Sequence, residues 1–211
     1  SGDEVMRSAF IQGQDIHRRT AAEVYGVPLN EVAPAMRSAA KAVNFGIVYG
    51  ISDFTLAKNI GASRQEARAF MDRYFHRYPG VKRYMDEAIA LGKERGYART
   101  LFGRRRYLPE IKSSNYNVRA FGERCAMNSP IQGTAADIIK LAMIRVHEAL
   151  AREKLQAKLI LQVHDELIVE APENEVGRVK ALLTESMEGV IELAVPLKID
   201  LSVGRDWRAC K

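Results

Sequence analysis

Residues 34–50 read PAMRSAAKAVNFGIVYG. The spacing predicts a helix over Met36–Tyr49, with Pro34 in the first turn, where its missing N–H would have no helical partner anyway. Arg37, Lys41 and Phe45 lie four residues apart and so share one stripe of that helix, which Tyr49 extends with some drift. Cations in the first turns oppose the helix macrodipole, which favours anions there. A bound polyphosphate would offset this, because the helix N-terminus and the two cations attract the same ligand. The plain alternative is a solvated basic face with Phe45 in the core, and spacing alone does not choose between them.

Outward from this helix, Ser63 followed three residues later by Glu66 predicts a capped helix running to about Tyr78 and stopped by Pro79-Gly80. Another is expected over Val81–Arg95, ending at Gly96. A long amphipathic helix is expected over Thr134–Lys154, with Ile138, Leu141, Met143, Ile144, Val146 and Leu150 on its apolar side. From Leu159 the pattern changes. Leu159–Val163 and Leu167–Val169 are short apolar runs around His164-Asp165-Glu166, which reads as a β-hairpin. Glu173–Leu193 reads as helix, and Pro196–Val203 alternates like a strand. The expected class is α+β, with a helical subdomain packed on part of an antiparallel sheet.

The chain has 211 residues, 47% hydrophobic and 27% charged, which suits one or two soluble globular domains. No apolar run approaches the roughly 18 residues of a membrane span. The first residues, SGDEVMRSAF, lack the basic head and apolar core of a signal peptide, so a cytoplasmic setting is expected. Cys125 and Cys210 belong to no CxxC or Cys/His group, and neither a disulfide nor zinc is expected. The formal charge of +6 only slightly favours a polyanionic partner.

Two adjacent carboxylates, Asp165 and Glu166, at a turn between apolar strands are electrostatically awkward unless solvated or neutralised by a cation. One reading is an exposed polar turn. The other is a Mg2+ site, since that ion binds hard oxygen ligands through one or two carboxylates plus substrate phosphates.

The longer strings carry a resemblance. Arg37, Lys41, Phe45, Gly46, Tyr49 and Gly50 match R-x3-K-x3-F/Y-G-x2-Y-G, and the segment resembles the fingers helix of family A DNA polymerases. Asp15-Ile16-His17 with Thr20 is similar to that family's D-I-H-x2-T stretch. Gln162–Pro172, QVHDELIVEAP, resembles its palm motif, and Arg124, Asn128, Pro130, Gln132 and Gly133 match R-x3-N-x-P-x-Q-G. The resemblance implies that Arg37 and Lys41 hold an incoming triphosphate, with His17 assisting. Phe45 would pack on its base and sugar, and Tyr49 would sit by the templating base. Phe45 in place of Tyr implies poor use of dideoxynucleotides. Asp165 would be the catalytic metal ligand and Glu166 a weaker one, in a two-Mg2+ nucleotidyl transfer. His164 would touch the primer terminus. Arg124, Asn128 and Gln132 would contact primer-template DNA through minor-groove atoms, which vary little between base pairs.

The same resemblance divides the chain into palm (1–14), fingers (15–120) and palm (121–211). Its upstream motif D-x-S-Q-I-E-L-R, with a second metal-binding aspartate, has no counterpart here. The expectation is therefore that this chain alone does not extend a primer and needs the remainder of the polymerase. The stretch GYARTLFGRRRYLPEI has Arg104, Arg105 and Arg106 beside Phe102 and Tyr107. It reads as a backbone-contact or structural element. Two rival readings are a single-subunit RNA polymerase segment and a non-catalytic nucleic-acid-binding module. Asn44-Phe45-Gly46 followed by Tyr49-Gly50 fits the DNA enzymes better than the first.

Overall fold

A computed structural model describes residues 1–210, which divide into two compact units, Ser1–Ile131 and Gln132–Lys211. The first unit is mostly helical. It contains α1 (Glu4–Ile11), α2 (Ile16–Tyr25), α3 (Pro34–Val48), α4 (Asp53–Ile60), α5 (Arg64–Arg77) and α6 (Pro79–Arg95). A small antiparallel hairpin follows, β1 (Tyr97–Arg99) and β2 (Arg105–Tyr107), and then the start of the 37-residue helix α7 (Tyr116–Arg152). The second unit holds the rest of α7, the hairpin β3 (Lys158–Val163) and β4 (Glu166–Glu170), and α8 (Val176–Glu188). Helices with two antiparallel hairpins make the class α+β, as expected.

Each element in the first unit has a local cause. Ser63 and Glu66 form the reciprocal capping box at the start of α5. Asp3 caps α1 through the Met6 amide and also accepts from the Gly80 amide at the start of α6, tying the first helix to this unit. The core is built from Val43, Ile47, Leu56, Phe70, Tyr74 and Tyr78. A second, smaller cluster of Ala98, Leu108, Ile111, Cys125 and Ala126 lies under the β1–β2 hairpin. In the second unit Val146, Leu150, Val179 and Leu182 are covered by Leu159, Leu167 and Val169 from the hairpin.

Four expectations shift. Pro79-Gly80 ends one helix but also begins the next, because Pro79 occupies the first helical position of α6. The helix expected from Thr134 starts at Tyr116 and runs through Pro130. Pro130 has no N–H to give to the carbonyl of Ala126, and Gly122 lowers local propensity. A Cβ at Gly122 would come within 2.6 Å of the Ile111 backbone, so the helix carries glycine there for close packing. Glu173–Leu193 is a 3-10 turn at Glu173–Glu175 followed by α8, which stops at Glu188. Pro196–Val203 forms no strand. Its alternation survives in that Ile199 and Leu201 pack on the second core while Lys198, Asp200 and Ser202 face water. A strand needs a ladder partner as well as alternation, and the Ile199 amide is instead bonded to the Glu188 carboxylate.

Candidate active site

On α3 the residues Ala40, Val43, Asn44 and Ile47 are buried, which turns Arg37, Lys41, Phe45 and Tyr49 outward as one row. The apolar stripe is the complement of the basic one, so Phe45 is half exposed instead of lying in the core. This settles the choice that spacing left open for Phe45.

The N-terminus of α2 lies against that row. Asp15 caps α2, accepting from the His17 and Arg18 amides, while its other oxygen accepts from Arg37 Nε at 2.7 Å. Partial desolvation pushes the Asp15 carboxyl up, but the Arg37 guanidinium and the two amides outweigh it and leave it below the usual range. His17 lies 5.6 Å from the Phe45 ring, centroid to centroid. Desolvation pulls the imidazole below its ordinary value; Asp15 opposes this, while Arg37 and Lys41 reinforce it. The ring is therefore neutral at pH 7, and its Nδ1 lies 2.9 Å from Asn44 Nδ2. An amide donor there makes Nδ1 the acceptor and leaves the proton on Nε2. Behind it, the buried Asn44 bonds Thr20 at 3.2 Å, and Thr20 reaches the Tyr78 hydroxyl at 3.4 Å. The row on α3 and the imidazole on α2 are thus held by a side-chain network rooted in the core.

Tyr49 ends the row at the C-cap of α3 and is half exposed. Gly50 follows with φ +71°, and a Cβ there would lie 2.7 Å from Met127 and 3.1 Å from Arg124 on α7. This close approach brings Arg124 beside the end of the row. Asn128 follows one turn later on α7, with a buried Oδ1 that has no hydrogen-bond partner. Gln132 comes four residues on, exposed, at the start of the second unit. A shallow concavity elsewhere in the first unit, lined by Asp53, Arg64, Gln65 and Arg68, contains none of these residues, and Asp53 is already paired with Arg64.

In the second unit the hairpin places His164 and Asp165 in a two-residue turn closed by the Val163–Glu166 pair. His164 has φ +53°, a left-handed conformation that side chains disfavour and that a merely structural turn would give to glycine or asparagine. Its carbonyl accepts from Gln162 Nε2 at 2.6 Å. Asp165 is exposed, and Glu166 accepts from Trp207 Nε1 at 3.2 Å. Among the described residues no group of three or more His, Cys, Asp or Glu side chains gathers as a metal cage. Two carboxylates at an exposed turn do fit Mg2+, which keeps several waters and completes its shell with phosphate oxygens.

Two motif residues have roles that the sequence does not announce. Asn44 bridges His17 and Thr20, and its one local signal is a polar side chain on the apolar stripe. Asp15 is the direct partner of Arg37 across 22 positions.

A family model described as DNA polymerase family A matches residues 1–209, and the chain belongs to that family. It is 54% identical to the DNA polymerase I of Bacillus caldotenax, over 99% of this chain and 24% of that protein. With the DNA polymerase I of Caldicellulosiruptor bescii it shares 53% identity over 100% of this chain and 25% of the relative. The chain thus spans about a quarter of the length of the curated relatives it matches. Among solved structures, the POL domain of Pol1 from M. smegmatis, in complex with DNA primer-template and dNTP, matches with a TM-score of 0.94. It is 43% identical, over 99% of this chain and 37% of that one.

Proposed function

We propose that this chain supplies the nucleotide grip and one catalytic aspartate of a DNA-directed DNA polymerase that joins dNTPs to a primer 3′ hydroxyl on a template. The observation that carries the reading is the row Arg37, Lys41 and Phe45 beside His17, held by Asp15 and Asn44. A triphosphate matches two cations and an imidazole N–H in one row, and an apolar ring next to them suits the base and sugar. The M. smegmatis relative was solved with both primer-template and dNTP, which supports the same ligands here.

Arg37 and Lys41 hold the triphosphate, His17 donates from Nε2, and Phe45 packs on the nucleotide. Tyr49 lies by the templating base, and Arg124, Asn128 and Gln132 meet the minor groove at the primer end. His164 positions the primer terminus, and Asp165 with Glu166 holds Mg2+. Mg2+ held there would supply charge neutralisation at the reacting phosphate and a more acidic 3′ hydroxyl. The 3′ hydroxyl gives its proton to solvent and its oxygen bonds to the α-phosphorus as the bond from that phosphorus to the pyrophosphate oxygen breaks, so catalysis is positioning and charge stabilisation without a protein nucleophile. We assign 15–120 to fingers and 1–14 with 121–211 to palm. The rest of the polymerase provides the second aspartate, so the chain alone is inactive in extension; the enzyme acts in the cytoplasm at the nucleoid.

Titration of the chain with fluorescent dNTP, with and without Mg2+, tests the grip, and primer extension by the longer polymerase carrying this sequence tests the chemistry. Binding that Lys41→Ala weakens about tenfold or more is expected, since a hydrogen bond to a charged group is worth roughly 1.5–3 kcal/mol. If the chain binds primer-template with a steep salt dependence yet no dNTP, it is a nucleic-acid-binding module and the reading fails.

A further inference from the structure

The β1–β2 hairpin has two unlike faces. In its register Tyr97 pairs with Tyr107, Ala98 with Arg106 and Arg99 with Arg105. Directly opposed residues point to the same side of an antiparallel ladder, and the side alternates along each strand. The inner face is therefore Ala98 and Arg106. Ala98 is buried in the cluster with Leu108 and Cys125, and Arg106 donates to Cys125 Sγ at 3.2 Å. The outer face is Tyr97, Tyr107, Arg99 and Arg105.

That outer face is costly as a purely structural surface. Arg99 and Arg105 are like charges directly opposed in a ladder only three pairs long, which destabilises the pairing. No Asp or Glu occurs between Gly96 and Pro109 to balance them. Tyr107 is 71% exposed, an unusually bare aromatic ring. The Arg105 guanidinium lies 4.7 Å from the Tyr97 ring centroid, and Tyr97 meets Tyr107 edge-on at 6.2 Å, so the cation is held in place beside the open ring. An exposed ring with two arginines on the same face, the next pair of that face toward the turn, matches a strand of unpaired nucleotides, whose bases stack on aromatics and whose phosphates need cations. A duplex offers no unpaired base to that ring.

We infer that this face is a platform for single-stranded DNA, one base stacking on Tyr107 while Arg99 and Arg105 hold phosphates of the same strand on the turn side of that base. The source of the strand, unpaired template, rests on the proposed polymerase function; the binding itself does not.

Anisotropy titration of the chain with a fluorescein-labelled oligodeoxythymidylate, across a series of salt concentrations, tests it. Tyr107→Ala should weaken binding about fivefold or more, as expected for loss of one base–aromatic stack, while Tyr107→Phe keeps it. Arg99→Gln with Arg105→Gln should reduce the log–log salt slope by about 1.4. Circular dichroism checks that each variant is folded, and fluorescent dNTP titration of the same variants should be unchanged. The platform is overturned by wild-type chain that does not bind the oligonucleotide, by Tyr107→Ala binding within twofold of wild type, or by an unaltered salt slope. Loss of dNTP binding in wild type with these effects intact would sink the polymerase reading and leave the platform standing.

Discussion

Around Arg37 and His17 in the first unit, polar groups are fixed by one another: Asp15 holds Arg37, Asn44 holds His17, and Thr20 and Tyr78 back Asn44. At the hairpin of the second unit, His164 and Asp165 are exposed and are placed by a two-residue turn, and the Glu166 carboxylate accepts from Trp207 Nε1. A grip on a flexible triphosphate requires side chains that keep their aim before the ligand arrives, because ordering them on binding would weaken it. A metal-binding carboxylate needs less, since the ion itself selects the rotamer. The contrast predicts that removing a polar side chain from the first site registers in stability as well as function, and that removing one from the hairpin turn, where backbone conformation is left unstrained, registers in function alone.

The largest effect should come from Asp165→Asn. In the polymerase that carries this sequence, Mg2+-dependent incorporation should fall at least about a hundredfold, several kcal/mol of lost charge stabilisation. Chemical denaturation of the chain should change by no more than about 0.5 kcal/mol, as for an exposed surface position. A stability loss of several kcal/mol would break the comparison, because it would make the aspartate a structural element of the turn.

Asn44→Leu probes the other side. It removes a buried bridge between His17 and Thr20, taking the Asn44 amide from the His17 ring and leaving Thr20 its Tyr78 contact, which should cost about 1–3 kcal/mol of unfolding free energy. The apparent KM for dNTP should rise in the same variant. An unchanged denaturation midpoint with a raised KM would mean that the network orients the imidazole without stabilising the unit.

Much of this was readable locally. The stripe on α3, the capping box on α5 and the β3–β4 hairpin depend on residues a few positions apart, and pattern and propensity report such distances well. The Asp15–Arg37 pair and the Asn44 bridge join residues 22 and 27 positions apart, so no window along the chain contains them. The run at Pro196–Val203 shows the same limit from the other direction. Its alternation correctly gives the buried residues Ile199 and Leu201, while pairing depends on a neighbour that the run cannot specify. The early start of α7 has a different reason: the helix runs from Tyr116 through Pro130, its tertiary context overriding that local penalty.

A smaller effect sharpens the picture of the grip. The folded chain binds a proton at His17 less readily than an unfolded chain does, so the linked stability is fully present above about pH 6.5. It is lost as pH falls through the lowered folded value. Following the His17 ring protons by NMR should show that titration below the ordinary imidazole range. Lys41→Ala should move it up and Asp15→Asn should move it down, because the first removes a cation and the second an anion acting on the ring. Opposite signs would mean that these residues do not surround the imidazole.

The smallest expected change is the most direct test of how the hairpin is built. A side chain in the left-handed region costs roughly 1 kcal/mol, and replacing it by glycine returns that while adding about 0.5–1 kcal/mol of chain entropy in the unfolded state. His164→Gly should therefore leave unfolding free energy within about 0.5 kcal/mol of wild type, whereas His164→Val, with a β-branched side chain at the same φ, should lose more than 1 kcal/mol. Extension by the polymerase carrying His164→Gly should nonetheless fall, since the imidazole is gone from beside Asp165. If His164→Gly is as destabilising as His164→Val, the imidazole supports the turn by contact, and a histidine at positive φ loses its value as a sign of function.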